Sequence, residues 1–271
     1  MQLIRQRVEQ VLGRDSLHFL DYVQAMKSLA VQTIDRAMPP VSTLADECSD
    51  DAWAADTTEA YCPKCGRTTG KYEATPKGCS DCLNQRLSWH QVTRLSEYNA
   101  PMTGWIKAMK YHGQWPIAEW LAGELAEQLA QNLAPKLPEA ARETVPNTSP
   151  SSALPDVVTH VPMHHRRRLA RGYDQAQILA EGVAKSLDLP AAPLLSRTLA
   201  TPKQSTVGLQ DRIKNVKNAF TAASVDLKGA HVLLIDDVKT SGATLKACAR
   251  TLKRAGAIRI DIAVLAVAHS G

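Results

Sequence analysis

The sequence predicts an α/β fold: a parallel sheet flanked by helices, with a small cysteine-built ribbon and a helical N-terminal extension. Three observations predict it. The runs Val157–Pro162, His231–Asp236 and Ile258–Val267 are almost continuously apolar and are separated by helical patterns. Such strands are buried on both faces, as in parallel sheets covered by helices. Four cysteines stand as two C-x2-C pairs. Apolar residues at helical spacing (Leu17, Leu20, Val23, Met26, Leu29, Ile34) precede Pro39-Pro40, where a helix must stop.

Taken in order, residues 1–38 fit one or two amphipathic helices. Residues 45–60 are acidic and poor in large apolar groups, which reads as a flexible arm or surface loop. Residues 1–60 form the N-terminal extension and 61–90 the ribbon. A main domain spans 98–271. Inside it a helix starts at Met102, with Trp105, Ile106 and Met109 on one face, and turns at His112-Gly113. A second helix runs from about Ile117 to Leu133. Residues 134–156, rich in Pro, Ser and Thr, read as a linker or surface insertion. The strand Val157–Pro162 follows, then a helix over Tyr173–Leu187 and a short strand at Leu194-Leu195. The strand His231–Asp236 leads to a helix over Gly242–Ala255, with Gly256 in the position that ends helices. The strand Ile258–Val267 closes the domain.

Composition narrows the function classes. The chain has 271 residues, 44% hydrophobic and 22% charged, ordinary globular values. Aromatic residues are only 5%, which argues against a sandwich of aromatic strands. No apolar run reaches transmembrane length, and the N-terminus lacks the apolar core of a secretory signal, so a cytoplasmic location is expected. The net charge of +5 is uneven: residues 1–60 carry −5 and the remainder +10. A basic body points to an anionic partner such as nucleic acid, nucleotides or phosphorylated metabolites, or to a merely solvated basic surface.

Cys62, Cys65, Cys79 and Cys82 follow the spacing C-x2-C, 13 residues, C-x2-C, with Gly66 and Gly78 where the turns must be sharp. Two such knuckles brought together offer four thiolates to one Zn²⁺, and a structural zinc site is expected. Disulfides do not suit a cytoplasmic chain. A thioredoxin-like motif uses one such pair beside a βαβ unit, not two knuckles.

The sharpest site signal is HVLLIDDVKTSGAT, His231–Thr244. A buried strand runs into Asp236 and Asp237, then a short loop, then a helix. Backbone N–H groups of the loop and helix start can cradle a phosphate. Gly242 permits close approach, and Thr240, Ser241 and Thr244 add hydroxyls. The two carboxylates would repel a phosphate unless they bind sugar hydroxyls, directly or near Mg²⁺. The stretch is neither a Walker loop nor a dinucleotide fingerprint. From the apolar strand through Asp236, Asp237 and Thr240-Ser241-Gly242-Ala243-Thr244, it resembles the 5-phosphoribosyl-1-pyrophosphate (PRPP) motif of type I phosphoribosyltransferases. Lys239 stands where relatives often carry an apolar, aromatic or small residue.

VPMHHRRRLARGYDQAQILA (161–180), MKYHG (109–113) and LSRTLATPKQSTVGLQDRIKNVKNAF (195–220) narrow the resemblance to the competence protein F family, which includes DNA-uptake proteins. The resemblance spans about Tyr61 to the C-terminus. It implies a type I phosphoribosyltransferase-like sheet behind a zinc ribbon. Asp236 and Asp237 would hold the ribose hydroxyls, and Lys239 through Thr244 would surround the 5′-phosphate. The loop at Met163, His164 and His165, with Arg166 and Arg171, would receive pyrophosphate. Two other readings stand beside that one: nucleic-acid phosphate binding by the same arginines, and a solvated basic face. A flexible segment carrying Arg197, Lys203 and Gln204 would close over the site; its alternative is a surface hairpin followed by a basic helix. Mg²⁺ is expected with PRPP, since pyrophosphate is a highly charged leaving group. The first function class is thus a PRPP-binding transferase. The second is a single-stranded-DNA-handling competence factor in which the site is a sensor or relic, and a third is a PRPP-responsive regulator.

Overall fold

The computed structural model describes residues 53–70, 73–83, 85–133, 154–198 and 219–268. The expected helices of residues 1–38, the start of the acidic segment and the insertion at 134–153 lie outside them. A four-stranded, wholly parallel sheet is built from β3 (Gln91–Glu97), β4 (Val157–His160), β7 (His231–Lys239) and β8 (Arg259–Val267), in the order β3-β8-β7-β4. Its middle strands are apolar on both sides because both sides are covered. Val232, Leu234, Ile260, Ile262 and Val264 face α6 (Ala243–Arg254) and belong to one core. Leu233, Ile235, Ala263 and Leu265 belong to a second core with α2 (Met102–Tyr111), α3 (Pro116–Leu133) and α5 (Gln175–Ser186). A fully buried Leu or Ile in such a layer contributes about 1.5–3 kcal/mol.

The remaining elements are small. β1 (Ala74–Thr75), β2 (Gly78–Cys79) and α1 (Ser80–Leu83) make the cysteine ribbon. A short helix α4 (His165–Arg171) follows the loop after β4. β5 (Leu195–Arg197) and β6 (Phe220–Ala222) pair antiparallel on their own.

Four expectations change in the structure. The strand at Leu194-Leu195 is displaced to Leu195–Arg197 and leaves the main sheet, pairing only with β6. β7 continues three residues beyond Asp236, because Val238 and Lys239 keep their partners Ala266 and Val267 on β8. The helix expected from Tyr173 starts at Gln175: α4 ends at Gly172 (φ +88°), and Asp174 caps the new helix by accepting from Ala176 N at 3.1 Å. Finally, residues 53–60 of the acidic segment are docked. Trp53 packs edge-on against Trp105 and Trp120, with ring centroids 5.2 and 5.9 Å apart.

Strand β3 is absent from the sequence reading. Its centre holds Arg94, 1% exposed, which the pattern disguises as a surface residue. Arg94 is held inside: it donates to Asp56 Oδ2, Thr68 Oγ1 and Gly66 O, each at 2.7 Å, and its guanidinium lies over the Tyr61 ring. One arginine thereby fastens the docked segment, the ribbon and the sheet together.

Candidate functional site

In a parallel sheet, the loops at the carboxyl ends of the strands gather on one edge, which is where ligands bind. Here the loop after β4 (161–164) and the loop after β7 (240–242) share that edge.

Asp236 and Asp237 occupy adjacent positions on β7, so their side chains leave on opposite faces. Asp237 turns toward α2, where Lys110 Nζ meets its Oδ2 at 2.8 Å. Burial opposes the Lys110 charge, but Asp237 and then Asp236 outweigh it, and the amine's pKa is raised. Asp236 turns toward α6 and β5. Burial, and then the Asp237 charge beside it, raise its carboxyl pKa well above the ordinary value, although it accepts from Asp237 N at 2.9 Å. The same Asp236 charge adds to the burial that raises the Cys248 thiol, and partly offsets the burial that lowers Arg197.

Thr240 and Ser241 are exposed, whereas Gly242 is buried with φ +71°. Gly242 occupies the N-cap position of α6 and has no side chain with which to cap the first turn's N–H groups. Ser241 Oγ accepts from Ala243 N at 3.4 Å, and Thr244 opens the first turn. This arrangement suits an anion, by backbone donors and by the positive end of the helix dipole. Lys239 lies beside the loop: its Cε is 3.3 Å and its Nζ 3.8 Å from where a Gly242 Cβ would stand. Burial lowers its pKa, while the charges of Cys65, Cys82 and Cys62 pull it back up.

The loop after β4 is held by Asp174, whose second oxygen accepts from Met163 N at 2.9 Å. His164 is buried and stacks near His165, their ring centroids 4.1 Å apart. Arg166 lies in α4, with exposed Arg167 and Arg168 after it. Arg171 Nη1 donates to Gln175 Oε1 at 2.6 Å, and its guanidinium lies 5.6 Å from the centre of the Tyr111 ring. The Tyr173 hydroxyl donates to Met109 O. The MKYHG segment and the RGYDQ segment, 60 residues apart in sequence, therefore touch. Arg197 lies on β5 with its guanidinium over Phe220; burial and then the nearby Arg167 charge lower its pKa. Lys203 and Gln204 lie outside the described residues. Lys110, Asp174 and Arg94 were not singled out from the sequence. Asp174 had a readable signal, a helix-capping residue just before an apolar-periodic run.

The four ribbon cysteines have Sγ atoms all within 4.8 Å of one another. Cys62–Cys82, Cys65–Cys79 and Cys79–Cys82 stand 3.9, 3.8 and 3.8 Å apart. A tetrahedron of sulfurs about 2.3 Å from a central ion has edges of about 3.8 Å, so this set fits a metal. The Cys62 thiol is lowered to about 4, chiefly by the hydrogen bond from Cys65. Burial, with the Cys62 charge adding to it, pushes Cys82 up to about 12. A cation at the centre relieves that obstacle.

Residues 174–271 match the family described as a phosphoribosyl transferase domain. Competence protein F of Haemophilus influenzae is 29% identical over 203 residues, 74% of this chain and 82% of that protein. The DNA utilization protein YhgH of Escherichia coli (strain K12) is 28% identical over 216 residues, 79% of this chain and 87% of its own length. Competence protein ComFC of Bacillus subtilis is 26% identical over 208 residues, 73% of this chain and 74% of that one. No helix among the described residues is long and apolar enough to cross a membrane.

Proposed function

We propose that this chain, a homologue of the competence protein F and DNA-utilization proteins that carries a phosphoribosyltransferase domain, binds PRPP or a related phosphoribosyl ligand and positions it so that an acceptor nucleophile bonds to C1 as the C1–O bond breaks and pyrophosphate leaves. One observation carries the reading: an acidic pair with one compensated member among the described residues, just before a helix that starts on a glycine. Lys110 neutralises Asp237, and no cation among the described residues pairs as closely with Asp236. Ribose hydroxyls donating to Asp236 and Asp237 would stabilise both charges. Backbone N–H groups of Ser241 to Thr244 and their hydroxyls would hold the 5′-phosphate. The loop at Met163–His165 and the basic residues Arg167, Arg171 and Arg197 would receive the pyrophosphate; an anion there would relieve the repulsion between Arg167 and Arg197.

The carboxylates, as hard oxygen donors, suit Mg²⁺ beside the pyrophosphate, where it would offset the leaving group's charge. The ribbon metal is Zn²⁺ in this reading, by its four-thiolate donor set and spacing. The side chains contribute mainly positioning and charge, so no nucleophile–base set is required of the protein.

Titration of the zinc-loaded protein with PRPP and Mg²⁺ in a calorimeter tests this. Saturable binding that disappears in Asp236→Asn/Asp237→Asn is expected, and no binding by the intact protein would overturn it.

A second reading rests on a separate observation. Tyr111, 72% exposed, sits beside Arg171 at the edge of the exposed arginines of α4, and Leu169 there is 81% exposed. An exposed aromatic among cations suits a base stacked on a single strand, the phosphates following the arginines. Single-stranded DNA binding that weakens steeply with salt and drops in Tyr111→Ala is expected, and salt-insensitive or absent binding would dismiss it.

A further inference from the structure

The ribbon and the phosphate-receiving loop are far apart in sequence and would be expected to act separately. Their contacts say otherwise. The first knuckle is stitched to the start and middle of β3: Trp89 Nε1 donates to Lys64 O at 2.7 Å, Lys64 Nζ to His90 O at 2.6 Å, and Val92 N to Pro63 O at 2.8 Å. Gly66, at φ +74°, leaves no room for a side chain; a Cβ there would meet Val267 at 2.9 Å and Val92 at 3.0 Å. Val267 is the last residue of β8 and the partner of Lys239. The knuckle is therefore seated against the strand beside the loop.

Two side chains complete the path. The buried Trp89 ring, anchored by its N–H to the knuckle, reaches Gly242: its Cη2 lies 3.5 Å from where a Cβ would stand. The Lys239 Cε and Nζ lie 3.3 and 3.8 Å from the same point. Gly242 is the left-handed residue on which α6 starts, so its conformation decides where the first N–H groups of that helix point. Closing the knuckle on a metal fixes Lys64 and Pro63, hence Trp89, hence Gly242.

We propose that the metal-closed Cys62–Gly66 knuckle holds the 240–244 loop in its anion-receiving form through Trp89 and Lys239, which act as positioning residues. The proposal rests on the phosphoribosyl reading for what the loop binds, but not for the coupling itself.

Hydrogen exchange followed by mass spectrometry on the full chain tests it in three states: metal-loaded, metal-stripped, and stripped then reloaded with Zn²⁺. Exchange in the segment 238–246 is expected to quicken at least about tenfold on stripping and to recover on reloading, while α3, on the other face of the sheet, keeps its rate. Metal-loaded Trp89→Leu is expected to show the same quickened loop with full metal content. It is also expected to bind PRPP with Mg²⁺ at least about tenfold more weakly, with Trp89→Phe in between because it keeps the ring and loses the N–H. A loop that exchanges at the native rate in both the stripped protein and Trp89→Leu overturns the coupling. So does equal loosening of α3. Failure of metal-loaded wild-type protein to bind PRPP overturns the phosphoribosyl reading instead, and the exchange rates still decide the coupling.

Discussion

Two aspartates on the same sheet differ in every respect except burial pressure. Asp261 sits near the amino end of β8, 1% exposed, and is answered on all sides: His231 Nε2 at 2.9 Å, Arg259 Nη2 at 2.9 Å and Gln91 Nε2 at 3.2 Å. Burial pushes its pKa up, but the hydrogen bonds of His231 and Arg259 win and the carboxyl ends below its usual range. Asp236 sits near the carboxyl end of β7. There burial and a like charge act together, and its pKa ends well above the usual range. One end of the sheet uses a buried charge to fasten strands. The other holds a carboxyl with which no cation among the described residues pairs closely, the kind of perturbed group that is a candidate for a functional site.

Breaking the satisfied end should have the largest effect on stability. Asp261→Ala leaves His231 and Arg259 without their acceptor and is expected to cost about 3 kcal/mol, the low end for a broken buried pair because Arg259 is partly exposed. Urea denaturation measures it. The ligand-facing end should respond with the opposite sign. Asp236→Asn removes a repulsion and is expected to raise stability at pH 7 by about 1 kcal/mol while PRPP binding is lost.

The pH dependence sharpens the contrast. Asp261, with a lowered folded pKa, contributes stability that is present above its unfolded value of 3.8 and is lost as pH falls through the folded value. Asp236, with a raised folded pKa, contributes stability that is full below 3.8 and is lost as pH rises through the folded value. Denaturation at a series of pH values should therefore show the advantage of Asp236→Asn growing as pH climbs above 4 and then levelling. The deficit of an Asp261 variant should shrink below 3.8. A comparably small effect is expected of Tyr173→Phe, which removes the hydroxyl's bonds to Met109 O and the Gln175 side chain and should cost about 1 kcal/mol, read by the same denaturation.

The same contrast separates what was legible from what was not. Strands β4, β7 and β8 were readable because burial on both faces leaves continuous apolar runs, and the cysteine knuckles because metal geometry imposes spacing. The place of the acidic pair near the end of β7 and of Gly242 at the start of α6 was readable because an apolar run gives way there to a helical pattern. Strand β3 was not, since Arg94 interrupts it and its partner Asp56 lies 38 residues earlier in a segment whose composition reads as loop. The docking of Trp53 among Trp105 and Trp120 was hidden for the same reason: an aromatic cluster leaves no local period.

The most direct test is the thermal unfolding of metal-loaded wild-type protein and Asp236→Asn, each with and without saturating PRPP and Mg²⁺. The account predicts a variant that is no less stable than wild type without ligand, and a rise in Tm with ligand for wild type alone. An equal rise in both proteins, or none in wild type, would contradict it.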